Sequence, residues 1–192
     1  MTRPLCPHCQ LPFARCLCDC AIECKSTLEI IVWQHPNETD HPKNTVPLLK
    51  ACLPQIQIIR GEQIEQDVFL ASTNSESNQL HLLFPSNEPA LTKSKTQSES
   101  GTRIRLIAID GTWRKARKIM HSNPWLHQLP RIALLNAPPS RYHIRKAEQD
   151  GQLSTLEAVC TAIEQLEGNQ QTGASIRAAF EQYLRKLSVY RP

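Results

Sequence analysis

Leu106-Ile107-Ala108-Ile109-Asp110-Gly111-Thr112-Trp113, followed at once by Arg114-Lys115-Ala116-Arg117-Lys118, decides how this 192-residue chain is read. Four consecutive apolar residues predict a buried strand. Asp110 stands at its carboxyl end, Gly111 loosens the backbone, and a helix rich in cationic side chains begins near Thr112. In an open α/β sheet, ligands gather outside the carboxyl ends of the strands. A carboxylate delivered there is a candidate for chemistry. Taken singly, Asp110 or Thr112 would more often cap the helix and Trp113 would more often fill core, so the reading depends on the rest of the chain.

Further apolar runs at 28–33 (LEIIVW), 55–59, 80–84 and 131–135 predict four more strands beside 105–109. Helices are expected at 47–52, from Thr112 onward, and at 174–189, where Ile176, Phe180, Tyr183, Leu184 and Leu187 share one face. Ser154-Thr155-Leu156-Glu157 is a capping box that opens a helix carrying Val159, Cys160, Ile163 and Leu166. Strands alternating with helices predict an α/β fold with a mostly parallel sheet flanked by helices. The segments 72–79 (STNSESNQ) and 92–102 (TKSKTQSESGT) contain no aliphatic or aromatic residue. Neither can offset its ordering entropy by burial, so both are expected as surface loops.

With 40% hydrophobic residues, the chain can bury the core of one domain plus a small appendage. No stretch approaches the roughly 18 apolar residues of a membrane span, and MTRPLCPHCQ lacks the apolar run of a signal peptide, which predicts a soluble cytoplasmic protein. No face reads as apolar and unpaired, so no obligate protein partner is implied. The net charge of +4 is too small to demand a polyanion, but its distribution is uneven. Arg103, Arg105, Arg114, Lys115, Arg117 and Lys118 stand against the single acid Asp110, and Arg141, His143, Arg145 and Lys146 form a second run. On the helix after Thr112, Arg114, Arg117, Lys118 and His121 share one side while Trp113, Ala116 and Met120 share another, so one face packs and the other can meet phosphates.

Six of the eight cysteines lie within the first 24 residues. In a reducing compartment such crowding reads as metal ligation rather than disulfides. Cys6-Pro7-His8-Cys9 supplies one pair and Cys16-Leu17-Cys18 a second, which predicts a structural zinc site of Cys6, Cys9, Cys16 and Cys18 in a module over residues 1–26. Cys20 or Cys24 could replace Cys18. Cys52 and Cys160 read as packing residues.

The block Asp110-Gly111-Thr112-Trp113 resembles the signature of the DTW-domain family of tRNA-uridine aminocarboxypropyltransferases. His35-Pro36-Asn37-Glu38 with Lys43-Asn44-Thr45, then Phe84-Pro85-Ser86, then Ser140 through Lys146 with Leu153 through Ala158, are similar to further family motifs. The CxxC and CxC spacing is similar to the family's amino-terminal cysteine pattern. The resemblance implies that residues 27–192 form a catalytic domain related to the SPOUT class of RNA methyltransferases, with a carboxyl-terminal knot-like pocket for S-adenosylmethionine. Carried over by position, Phe84, Pro85, Ser86, Asp110, Gly111, Thr112, Trp113, Ser140, Tyr142, Ser154 and Thr155 would bind this donor. Asp110, Thr112 and Trp113 would be catalytic. His35, Arg114, Arg117, Lys118, Arg141, Arg145 and Lys146 would contact tRNA.

The implied reaction moves the 3-amino-3-carboxypropyl chain to the ring imide nitrogen of a uridine and leaves methylthioadenosine. Asp110 is the expected base, although an ordinary aspartate, pKa about 3.9, is weak for the task unless burial raises its proton affinity. Alternatively it would hold the ammonium of the transferred chain, with Arg145 on the carboxylate. The rival readings are a SPOUT-like RNA methyltransferase using the same pocket, and a noncatalytic zinc-ribbon RNA-binding protein.

Overall fold

Five short strands form one parallel sheet: β1 (Glu29–Gln34), β2 (Gln57–Arg60), β3 (Leu80–Leu83), β4 (Arg105–Asp110) and β5 (Arg131–Ile132), in the order β2-β1-β4-β3-β5. The helices are α1 (Val46–Cys52), α2 (Gln66–Thr73), α3 (Trp113–Ser122), α4 (Thr155–Glu167) and α5 (Gln170–Val189). This computed structural model describes residues 4–42, 44–76, 80–85, 104–137, 139–140 and 153–189. The expected α/β architecture with a parallel sheet between helices is therefore present.

The central strands are apolar on both faces, as a sheet covered on both sides requires. On one face, Ile30 and Val32 of β1 and Leu106 and Ala108 of β4 pack against α1, α4 and α5 through Leu48, Leu49, Val159, Ile163, Ile176 and Phe180. On the other, Ile31, Trp33, Leu82 and Ile107 pack against Phe69 of α2 and Ile119 and Met120 of α3. Trp33 stacks on Phe69 at 5.1 Å between ring centroids, and its indole N–H donates to the Gly61 carbonyl at 2.8 Å. Each such fully buried large side chain contributes about 1.5–3 kcal/mol. A helix cap is typically worth about 1 kcal/mol, so packing holds the architecture and caps fix where each helix begins.

The capping box is formed as expected. The Ser154 hydroxyl accepts from the Glu157 N–H at 3.3 Å, and the Ser154 N–H donates to Glu157 Oε2 at 2.8 Å. Gly168 ends α4 in the left-handed conformation at φ 67°, where a side chain would be strained.

Two expectations shift. Ser72 and Thr73, expected in a surface loop, form the last turn of α2; Thr73 is fully buried and its hydroxyl donates to the Phe69 carbonyl at 2.8 Å. This back-bond lets a small polar residue enter the core. The last helix also begins four residues before the expected 174. The segment 92–102, and most of the region to which a knot was assigned (141–152), lie outside the described residues.

Candidate active site at the carboxyl ends of β1 and β4

The two central strands send the chain to opposite faces: β1 leads to α1 on one face, β4 to α3 on the other. Such a divergence opens a crevice between the strand ends, where α/β proteins hold ligands. Asp110 ends β4 there, 4% exposed. Directly across the register lies Gln34, the last residue of β1.

Both carboxylate oxygens of Asp110 are held. Gln34 donates from Nε2 to Oδ2 at 2.9 Å, and Thr155, in the first turn of α4, donates from its hydroxyl to Oδ1 at 2.7 Å. The Asp110 carbonyl accepts from the His35 N–H at 3.0 Å, which ties the loop after β1 to β4. A Cβ at Gly111 would lie 3.1 Å from Lys115 Cβ and 3.6 Å from His35 Cβ, so the absence of a side chain lets loop and helix meet.

Thr112 caps α3: its hydroxyl oxygen accepts from the Lys115 N–H at 3.3 Å. Trp113 is half-buried, with its ring edge toward Phe84 at 5.7 Å. Together they border a cavity of about 330 Å³ lined by Phe84, Pro85, Trp113, Leu134, Leu153 and Ala158, among others. Its wall is apolar and aromatic. Ser140 joins the same neighbourhood, donating to Glu157 Oε2 at 2.9 Å, the carboxylate oxygen that also accepts from the N–H and hydroxyl of Ser154. Of the expected donor-binding set, Phe84, Pro85, Asp110, Gly111, Thr112, Trp113, Ser140, Ser154 and Thr155 are described; Ser86 and Tyr142 lie outside the described residues.

The residues expected to meet RNA fall into three groups. Arg114, Arg117 and Lys118 are exposed on α3, opposite the buried Ala116, Ile119 and Met120. His35 is 2% exposed, its Nδ1 accepting from the Asn37 N–H and its Nε2 lying 2.8 Å from Glu62 Oε1. Arg141, Arg145 and Lys146 lie outside the described residues. Glu62 also pairs with Lys118 at 2.6 Å, and that ammonium, aided by His35, holds the carboxyl below the usual range.

Glu62 and Gln34 were not singled out by the sequence. Glu62 meets His35 and Lys118, 27 and 56 residues away, and Gln34 meets Asp110, 76 residues away; the one visible signal is that Gln34 closes an apolar run with a polar side chain.

In the amino-terminal segment, the Sγ atoms of Cys6, Cys9, Cys16 and Cys18 all lie within 4.8 Å of one another. Cys6 to Cys18 and Cys9 to Cys16 measure 3.8 Å each. A tetrahedron with metal–sulfur bonds of about 2.3 Å has edges of about 3.8 Å, so the four thiols fit a dication such as zinc. Backbone N–H groups of Cys9 and His8 bring the Cys6 thiol down to about 6, while loss of water and crowding by neighbouring thiols push Cys18 up to about 12. Four sulfurs this close could hold a metal ion. Cys20 sits instead in the main core, and Cys24 packs against that core with its N–H on the Cys52 carbonyl. The segment docks on α5, where Lys186 meets Asp19 at 3.1 Å and the Tyr183 hydroxyl donates to the Arg15 carbonyl at 3.3 Å.

The carboxyl ends of strands at such a divergence are where parallel α/β sheets commonly hold ligands. The DTW domain matches residues 3–188, and the chain belongs to the DTW-domain family. It is similar to tRNA-uridine aminocarboxypropyltransferase 2 of Macaca fascicularis, 33% identical over 173 residues covering 87% of this chain and 58% of that protein. The protein of the same name in Mus musculus is 33% identical over 217 residues, covering 99% of this chain and 72% of its own length. tRNA-uridine aminocarboxypropyltransferase A of Arabidopsis thaliana is 31% identical over 136 residues, 63% of this chain and 52% of that protein. No solved structure gives a significant match.

Proposed function

We propose that this chain is a tRNA-uridine aminocarboxypropyltransferase that uses S-adenosylmethionine as donor. The observation that carries the reading is Asp110, buried at the end of β4 and held by Gln34 and Thr155, three residues before the Trp113 that lines a cavity with Phe84. The names of the relatives supply the reaction class.

In the proposed reaction the uridine N3 attacks the carbon joined to the sulfonium. An N–C bond forms, the C–S bond breaks, and its electron pair stays on sulfur as methylthioadenosine departs. The N3 proton goes to Asp110. Because sulfonium is already a good leaving group, the protein's work is to align the reacting atoms and remove one proton. Gln34 and Thr155 each hold one carboxylate oxygen, which fixes the plane of the carboxylate. The flat adenine ring stacks on aromatic side chains and suits a cavity walled by Phe84 and Trp113.

The loops at Phe84 to Ser86, Asp110 to Trp113 and Asn136 to Tyr142, with Ser154 and Thr155, are proposed to hold this donor in the SPOUT manner. Thr112 acts by fixing the start of α3, whose exposed Arg114 and Arg117 meet tRNA phosphates together with Lys118, Arg141, Arg145 and Lys146. His35 contributes indirectly, by holding the Glu62 that pairs with Lys118. Residues 1–26 are taken as a zinc-binding structural module. No described helix is long and apolar enough to cross a membrane, which agrees with action on tRNA in the cytoplasm.

Mass analysis of the spent donor tests the reading. Methylthioadenosine supports it. S-adenosylhomocysteine would make the chain a methyltransferase, and an unconsumed donor would leave only the RNA-binding alternative.

A further inference from the structure

Three neighbouring strands end level with one another. Arg60 closes β2, Gln34 closes β1 and Asp110 closes β4, and Gln34 stands in direct register with both of the others. Their side chains continue the row. The Arg60 Nε–H donates to Gln34 Oε1 at 3.4 Å, and Gln34 Nε2 donates to Asp110 Oδ2 at 2.9 Å and to Asn44 Oδ1 at 3.4 Å.

The two ends of a side-chain amide are nearly alike in shape, so the neighbours decide which end faces Asp110. Backbone groups begin the assignment. The Val46 N–H donates to Asn44 Oδ1 at 2.9 Å, and Asn44 Nδ2 donates to the Thr39 carbonyl at 3.1 Å, so Asn44 offers an oxygen to Gln34. That oxygen only accepts. Arg60 carries a guanidinium, which only donates, and it meets the carbonyl end of the Gln34 amide. Both neighbours therefore require Gln34 to turn its NH2 toward Asp110. In the opposite orientation its carbonyl would face the carboxylate. Gln34 is 1% exposed, so its polar ends depend on these partners. The 3.4 Å contacts are long, and their part is to set direction while the 2.9 Å bond supplies strength.

We infer that Arg60 is a positioning residue for the transfer reaction, acting on Asp110 through the orientation of the Gln34 amide. The inference rests on the transferase reading, in which Asp110 takes the uridine proton. An oxygen that faces an N–H is held as an acceptor, and a carboxylate fixed in its plane is aimed in one direction. Arg60 itself is exposed, so it can be replaced without opening the core.

The test is a double-mutant cycle on the metal-loaded chain with unmodified tRNA. Arg60→Ala is expected to lower kcat about fivefold to tenfold, with KM for tRNA and Kd for S-adenosylmethionine within about twofold of wild type. Arg60→Lys, which keeps a donor, should recover most of the loss. In a Gln34→Leu background, Arg60→Ala should cost nothing further. Nuclear magnetic resonance reads the amide directly: the Gln34 side-chain N–H protons should exchange slowly in wild type and faster in folded Arg60→Ala. A loss that appears in KM for tRNA, or that persists in full without Gln34, would assign Arg60 to RNA contact and overturn the relay while transfer stands. Wild-type kcat with unchanged amide exchange in Arg60→Ala would overturn it as well. A wild-type chain that transfers nothing, its Gln34 amide still protected, would overturn the transferase reading and reduce Arg60 to a structural partner of Gln34.

Discussion

Gln34 Nε2 donates to Asp110 Oδ2 at 2.9 Å across the β1–β4 register. The two residues are 76 positions apart in sequence and occupy the point where the central strands part toward opposite faces. Gln34 thus ties the end of β1 to the carboxylate, and Thr155 ties the first turn of α4 to it.

Replacing Gln34 by Leu removes the amide on Oδ2 while Thr155 keeps Oδ1, so Asp110 should stay ionisable but be less firmly oriented. As a positioning change it is expected to lower kcat by about tenfold to a hundredfold, with Kd for the donor unchanged. Gln34→Glu, which sets like charge against Asp110, should be worse and should shift the pH–rate profile. Stopped-assay kinetics across pH distinguish this from simple loss of fold, which would move every parameter together.

Removing the carboxylate is the stronger change. Asp110→Asn keeps an acceptor for the Thr155 hydroxyl and should melt within a few degrees of wild type, yet transfer should fall by at least about a hundredfold. Asp110→Ala strands the buried Gln34 donor at about 1–3 kcal/mol, so its melting temperature should fall as well. Full activity in Asp110→Asn would remove proton abstraction from this residue.

The cysteine cluster should hold about one equivalent of zinc by elemental analysis. Cys6→Ser or Cys18→Ser should abolish binding and lower stability, because metal binding there is coupled to folding. Cys24→Ser, outside the cluster, should retain the metal. Equal metal content in Cys18→Ser and wild type would show that another thiol completes the site.

Stability should also carry a signature of Glu62. Lys118 and His35 hold its carboxyl below the ordinary value of 4.5, so the ion pair's contribution is present above that pH and is lost as pH falls through the lowered value. The melting difference between wild type and Glu62→Gln should therefore be constant near neutrality and shrink under acid. A difference that grows on acidification would contradict the pairing.

Much of this architecture is legible in the chain because short apolar runs separated by polar stretches leave few alternatives to a parallel sheet. The carboxylate at the end of β4, the capping box at Ser154 and the cysteine quartet are local patterns, and each could be read from neighbouring residues. What could not be read depends on contacts distant in sequence. Nothing near Gln34 announces Asp110. Asn123 is equally silent: it holds Ile64 N–H at 2.8 Å and the Glu62 carbonyl at 2.8 Å, pinning the loop that carries Glu62. Thr73 misled for the opposite reason, since a polar side chain that satisfies its hydroxyl on its own helix is buried without any signal in composition.

The most direct test of the central claim follows the donor's carbon into RNA. Unmodified tRNA is incubated with the chain and with S-adenosylmethionine labelled either in the methyl group or in the aminocarboxypropyl carbons, and the nucleosides are then analysed by mass. Label in uridine from the aminocarboxypropyl carbons alone is the predicted result. Label from the methyl group, or none from either donor, would contradict it.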